Sequence, residues 1–526
     1  MKKLLKNYLK ICKGASESED GQRCMIAPHP DLKKKIDAEL KKLKSGLGKS
    51  LLLNKIKLED PWRPGLNDGL IYPGSMFPAG TPADIARSAG LNKAPLRGTV
   101  RVIVVLVDFS DKPMVQTTQH FRDLFFSLGV INTGSVREYF REVTNNLVDI
   151  QGEVVGPFRL PKTLSQYANG DSGTGNAAPN ARTMAKDAAV AANPSVNFAQ
   201  YDNDSDGFVD AFIVIHAGTG AETNNNPNDI WSHKWVLEGG PYTADGSTKI
   251  YAYLTVPEDC RLGVCAHELG HLLFGFPDLY DIDSSSEGVG NWCLMGGGSW
   301  NNNGLTPAHP SAWCKCKQAW ATAENVTSNR SNVAIEDVKS GFKVFKLWKD
   351  GAAANEYFLV ENRQKQKFDR FLPNSGLLVW HIDDSVTDNS NEAHYKVALM
   401  QADGRKDLEN GSNRGDAGDS YPGSANNTTF DNNSNPNSKS YGGVNTCVAI
   451  KNVSPSGAVM HADLSVKCVT KNVVKENFKE VKERKEFRKE FNKELIFEKP
   501  IFREKPFIGD KNPKEIKEKD KDIFEN

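Results

Sequence analysis

Hydrophobic and polar positions divide this chain before any residue chemistry is considered. Val100 to Val107, "VRVIVVLV", is an almost unbroken apolar run of strand length, as in a strand covered on both faces. Ile250 to Val256, "IYAYLTV", alternates and is rich in β-branched and aromatic residues, which predicts a second strand. Directly after it the apolar positions change period: Val264, Leu269, Leu272, Leu273 and Phe276 line one side of a helix that Gly275 and Pro277 should stop. Pro30 to about Leu58 is a Lys- and Leu-rich helical pattern, followed by the Pro/Gly-rich "EDPWRPGLNDGLIYPGSMFPAGTP". After Trp320 alternation dominates, in "FKVFKLW", "EYFLVEN", "GLLVWHID", "YKVALMQAD" and "TCVAIKNV".

These periods predict an α+β protein in four parts. They are an N-terminal region over 1–97, a mixed helix and strand domain over 98–330, a β-rich domain over 331–466 and a Lys/Glu-rich tail over 467–526. In the tail, charges of alternating sign with sparse Val, Phe and Leu point to a partly helical or disordered, solvated segment, or to one that docks on a partner.

Composition narrows the function classes. With 526 residues, 39% hydrophobic and 25% charged, the chain can bury a substantial core, and its formal net charge of zero gives no reason to expect nucleic acid as a partner. No run of 18 apolar residues occurs, so no membrane-spanning helix is expected. The N-terminus "MKKLLKNYLKICKG" opens with a lysine pair, but Lys6, Asn7 and Lys10 interrupt the apolar stretch that a secretory signal needs. Nine cysteines do not mark a disulfide framework. Cys260 with Cys265 has the spacing for a bridge and Cys314 with Cys316 for a metal, against a default of thiols in each case.

The candidate chemistry is in "AHELGHLLFGFPDLYD", Ala266 to Asp281. Residues four apart share one helix face, so His267 and His271 can direct imidazole nitrogens at one point about 2.0 to 2.1 Å away, the zinc to nitrogen distance. Glu268 falls beside that point, placed to take a proton from water there. A turn after Gly275 can return a later side chain as third ligand; Asp278 is the choice and Asp281 the reserve. Tyr280, between them, is either an oxyanion donor or a structural tyrosine. Downstream, "NWCLMGGGSW" sets Met295 before three glycines, as in a tight turn beneath a metal site.

With "WCLMGGGSW" after it, this stretch resembles the immune inhibitor A family of metzincin-like zinc metallopeptidases. "VRVIVVLVDFSD", "SVREYFREVTNN", "YDNDSDGFVDAFIVIHAG" and "IWSHKW" are similar to that family's catalytic segments in the same order, and "YFLVENRQ", "GLLVWHID" and "GDAGDSYPG" to segments that follow. The resemblance covers roughly residues 98 to 465. It implies a zinc endopeptidase acting on protein or peptide substrates, with His267 and His271 as zinc ligands, Glu268 as general base, an N-terminal propeptide and export from the cell, though a cytoplasmic location stays open. This chain departs from the commoner spacing by one residue: Leu272, Leu273 and Phe274 separate His271 from Gly275, so Gly275 and Asp278 are each displaced by one. The alternative is a calcium-stabilised surface or binding protein whose zinc site has degenerated.

A second ion is suggested by "DNDSDGFVD". Asp202, Asp204, Asp206 and Asp210 stand at calcium-loop positions with Gly207 at the sharp turn, but Ile213 occupies the place of the bidentate glutamate. Either a structural calcium ion or an Asx-rich turn accounts for the segment. Three further groups are noted: Cys24 in "RCMIAPHP", a thiolate that could reach the zinc and hold the enzyme latent; His381 with Asp383, on one face of a strand; and Asp416 with Asp419, in a long Asn/Ser-rich loop.

Overall fold

Residues 102 to 107 have no exposed surface, and the alternation of strand side chains sends them into two different cores. Val102, Val104 and Leu106 join Phe121, Phe140, Leu269 and Met295 on one face, whereas Ile103, Val105 and Val107 join Met184, Ala188, Phe198 and Trp235 on the other. That two-sided burial explains the near-continuous apolar run.

In the computed structural model the described residues are 24–46 and 95–468. Those up to Lys467 belong to one compact unit; of the second unit, Cys468–Asn526, only Cys468 is described. The Pro/Gly-rich stretch, the latter part of the helix expected over 30–58 and the charged tail lie outside the described residues.

The strands of the first part are β1 (Cys24–Met25), β2 (Gly98–Asp108), β3 (Val148–Arg159), β4 (Phe212–His216), β5 (His233–Val236), β6 (Tyr242–Thr243), β7 (Lys249–Ile250) and β8 (Ala252–Pro257). Six of them form one sheet in the order β1-β5-β8-β4-β2-β3, and β6 with β7 forms a separate hairpin. β3, β2, β4 and β8 run parallel; β5 is antiparallel to β8, and β1 is antiparallel to β5. The stretch expected as one strand over 250–256 is divided between β7 and β8, with the Tyr251 carbonyl taken by the Leu237 amide.

The helices that cover this sheet follow from their sequences. α1 is Pro30–Gly46, α2 Thr118–Phe126, α3 Val136–Val143, α4 Ala181–Ala192, α5 Leu262–Phe274 and α6 Ala312–Lys317. α3 starts in a capping box, with Ser135 and Glu138 each satisfying the other's backbone. α4 buries Ala181, Ala185, Ala188, Ala189 and Ala192, small enough to let its backbone lie close to the sheet. α5 is buried almost throughout, and its side chains Val264, Leu269 and Phe274 each contribute about 1.5–3 kcal/mol of apolar burial.

The second part contains β9 (Thr322–Asn325), β10 (Arg330–Glu336), β11 (Lys343–Leu347), β12 (Glu356–Arg363), β13 (Gly376–Asp383), β14 (Val397–Leu399), β15 (Ala449–Lys451) and β16 (Val459–Ser465). They form a five-stranded sheet, β14-β13-β12-β11-β9, and a three-stranded sheet, β10-β16-β15. Phe358, Val360, Val379, Ile450 and Met460 fill the core between them. The alternate residues Tyr357, Leu359, Leu378 and Trp380 face the other way and join the core beneath α5, so both parts share one apolar interior. β14 is shorter than its alternation predicts because neighbouring backbone serves loops: Lys396 donates to Asp388 and Ala402 to Asp419.

Candidate active site

Both histidines of α5 are fully buried, as is Glu268. His267 Nδ1 lies 3.0 Å from the Leu294 carbonyl, and His271 Nδ1 lies 2.5 Å from the Phe276 carbonyl. A carbonyl can only accept, so each Nδ1 carries the hydrogen and each Nε2 presents a lone pair. Burial holds the His271 imidazole below its usual pKa, which keeps that ring neutral. Both rings are thus held in the tautomer a metal requires, by the outer carbonyl contacts that usually orient metal-ligating histidines.

The turn after α5 supplies the Phe276 carbonyl. Gly275 ends the helix in the left-handed conformation, φ 63°, and the amides of Gly275 and Phe276 turn back to the carbonyls of His271 and Gly270.

Asp278 meets the histidines. Its Oδ1 is 3.2 Å from His267 Nε2 and 3.1 Å from His271 Nε2, and the two Nε2 atoms are 3.0 Å apart. Tetrahedral ligands at about 2.1 Å from a zinc ion would stand about 3.4 Å from one another. Two lone pairs and a carboxylate oxygen at this spacing repel unless a cation lies among them, so the donor set fits a divalent metal.

Asp281 is engaged elsewhere. Ser286 N, Ser285 Oγ and Asp283 N donate to its carboxylate at 2.7, 2.9 and 3.0 Å, closing the 281–286 turn. The Tyr280 hydroxyl donates to the Met25 carbonyl at 2.7 Å.

Both oxygens of Glu268 are buried and have no hydrogen-bond partner among the described residues. Burial, and next the Asp278 carboxylate, pushes this carboxyl well above its ordinary range, while the buried Lys234 on β5 opposes the shift. An unsatisfied carboxylate costs stability unless it serves a ligand or a reaction. Under the helix lies Met295, whose sulfur would be 2.8 Å from a β-carbon on Gly270. Its carbonyl accepts from Leu279 N at 2.8 Å, which ties the methionine turn to the segment bearing Asp278.

A cysteine completes the group. A sulfur of Cys24, a ring nitrogen of His271 and a carboxylate oxygen of Asp278 all lie within 4.8 Å of one another. Lys234, opposite Cys24 in the β1-β5 register, is a site neighbour that the sequence reading missed. A lysine between the apolar residues of "IWSHKW" was the available signal.

Of the four calcium candidates, Asp202, Asp204 and Asp206 converge within 4.8 Å. Asp210 does not join them: its carboxylate accepts from the Asn203 amide at 2.6 Å and from the Asn203 side chain at 3.0 Å. Beyond Asp210 the chain runs into β4 rather than into a helix. Cys260 and Cys265 are not bridged; their sulfurs are 3.5 Å apart. Cys314 and Cys316 are thiols outside any metal-like group among the described residues, while Cys447 is disulfide-bonded. His381 pairs with Glu356 and Asp383 with His394, each at 2.8 Å, so that polar face is internally satisfied. Asp416 and Asp419 do come together, with Asp403.

Comparison with known proteins covers the segment that bears this site. Residues 92–327 match the family described as immune inhibitor A peptidase M6, catalytic domain. The pre-pro-metalloprotease PrtV of Vibrio cholerae serotype O1 is 30% identical over 270 residues, which is 41% of this chain and 29% of that protein. Immune inhibitor A of Bacillus thuringiensis subsp. alesti is 32% identical over 204 residues, 32% of this chain and 30% of its own length. The chain therefore spans less than a third of the curated relatives it matches. The matched range, residues 92–327, encloses the His267, Glu268 and His271 helix, so the segment bearing the site is similar to the immune inhibitor A peptidase catalytic domain.

Proposed function

We propose that the protein is a zinc-dependent endopeptidase that hydrolyses peptide bonds of proteins, with a metzincin-like catalytic centre. The carrying observation is the convergence of two Nε2 atoms and Asp278 Oδ1 within 3.2 Å, beside the unpartnered carboxylate of Glu268. His267, His271 and Asp278 would hold the ion. Zinc, when bound, supplies a Lewis acid that polarises a carbonyl and makes water nucleophilic near neutral pH. Glu268 accepts the proton of the attacking water and returns it to the departing amine, a role suited to a carboxylate of raised proton affinity. The edge of β5 that β1 occupies can pair an extended substrate by backbone hydrogen bonds once β1 is displaced. Met295 packs beneath Gly270 and steadies the floor of the site.

Export and a zymogen form belong to the same reading, supported by a relative named as a pre-pro-metalloprotease. A structural calcium ion at Asp202, Asp204 and Asp206 is part of it too. The family match disfavours the alternative of a binding protein with a dead zinc site. The test is casein digestion by the processed protein with and without a zinc chelator. Chelation should abolish cleavage, and Glu268→Gln should retain one zinc per chain yet lose turnover; undiminished activity in Glu268→Gln refutes its role.

A further inference from the structure

We propose that Cys24 supplies a fourth donor to the metal and that residues 24–29 are an inhibitory strand seated where substrate must lie. The proposal rests on the metallopeptidase reading above. β1 adds to the open edge of β5, with Cys24 opposite Lys234 and Met25 opposite His233, and Ile26 N continues the ladder to Ser232 O at 3.2 Å. Strand addition of this kind is how an extended peptide docks on a sheet edge.

Three successive carbonyls of this strand are each held by a different side chain of the protease part. The Tyr280 hydroxyl donates to Met25, the Trp231 indole to Ile26 at 2.9 Å and the Trp300 indole to Ala27 at 2.9 Å. The His29 ring then stands edge-on to Trp300 at 4.9 Å, and its amide donates to Glu222. α1 fixes the segment beyond, burying Leu32 and Ile36 in the main core and pairing Lys33 with Glu287 at 2.9 Å.

A buried cysteine on a strand is by default a small apolar residue. Yet the Cys24 sulfur lies within 4.8 Å of the proposed ligands His271 and Asp278, with the whole residue 1% exposed. Thiolate is a preferred zinc donor, and a four-donor site is closed where a catalytic one keeps a place for water. As the sulfur coordinates, its proton leaves to solvent; no other bond changes. Latency follows twice over, since the strand occupies the edge that substrate requires and its sulfur takes the position that water requires.

The test uses the full chain loaded with cobalt(II) in place of zinc. The parent should show a near-ultraviolet thiolate-to-cobalt charge-transfer band, and Cys24→Ser should lose it while keeping one cobalt per chain and an unchanged far-ultraviolet circular dichroism spectrum. Iodoacetamide should label Cys24 slowly in the loaded parent and rapidly after chelation, by peptide mass spectrometry. Unprocessed Cys24→Ser should cleave casein roughly tenfold or more faster than the unprocessed parent, as expected when a mostly closed site opens. A band that is absent from the parent, or that survives in Cys24→Ser, overturns the proposal. If both proteins bind one metal and cleave casein alike, the Cys24 sulfur does not hold the enzyme latent and the proposal falls while the peptidase reading stands; a chain that binds no metal and never cleaves casein sinks both.

Discussion

The sulfur of Met295 lies 2.8 Å from the place a β-carbon on Gly270 would occupy, so helix and methionine turn touch where the helix has no side chain. Gly263, two turns earlier, is tighter: its β-carbon would stand 1.9 Å from the Ser299 carbonyl oxygen. The difference is in what can yield. A methionine side chain can swing aside, and alanine improves helix propensity, so Gly270→Ala should cost only about 1 kcal/mol. Backbone cannot move as cheaply, and Gly263→Ala should cost at or above about 3 kcal/mol, the upper end of overpacking. Urea unfolding at fixed zinc concentration measures both; equal losses would refute the distinction.

The carboxylates of the turn should separate in metal content. Asp278→Asn replaces an oxygen that sits within 3.2 Å of both Nε2 atoms and should weaken zinc by more than the 10–100-fold typical of an outer contact. Asp281→Asn alters only the 281–286 turn and should leave one zinc per chain. Zinc analysis after dialysis decides it, and the reverse order would move the third ligand to Asp281.

Stability in acid should depend on a buried ion network below the second sheet. Arg363 donates from Nε to Asp369 at 2.7 Å and from Nη1 to Glu361 at 3.2 Å, while Lys315 reaches Glu361 at 3.3 Å. Burial opposes the Asp369 charge, but Arg363 prevails and holds that carboxyl well below its usual range. A carboxyl depressed in the folded state stabilises the protein above its unfolded pKa of about 3.9, and this contribution is lost as pH falls further. Arg363→Met should therefore cost about 3–5 kcal/mol at neutral pH and flatten the dependence on pH below about 4. Thermal midpoints from pH 7 to pH 3 for parent and variant check this.

Calcium should stabilise through the 202–206 loop. Three carboxylates within 4.8 Å gain from a dication, and calcium at 100 times its dissociation constant would add about 2.7 kcal/mol. Asp204→Asn should lose most of the rise in thermal midpoint, whereas Asp210→Asn, whose carboxylate serves Asn203, should keep it. A calcium response that survives in Asp204→Asn rejects the site.

The sequence made legible those features that depend on local period. A four-residue spacing put both histidines on one helix face, the apolar run announced β2, and Gly275 marked the helix end. Contacts across long separations were not legible. Trp231 meets Ile26 across 205 positions and Trp300 meets Ala27 across 273, and no local pattern shows that indoles of the catalytic part hold an N-terminal strand. Asp210 illustrates the converse: its place in a nine-residue pattern was readable, but its direction depends on how the next strand departs.

The two backbone carbonyls behind the histidines have a kinetic consequence. Leu294 and Phe276 fix the ring hydrogens on the far nitrogens, so an arriving dication meets bare lone pairs and need expel no hydrogen from either imidazole. Uptake and loss of the ion can then proceed on a folded scaffold, and a chelated sample should regain its metal without passing through the unfolded chain.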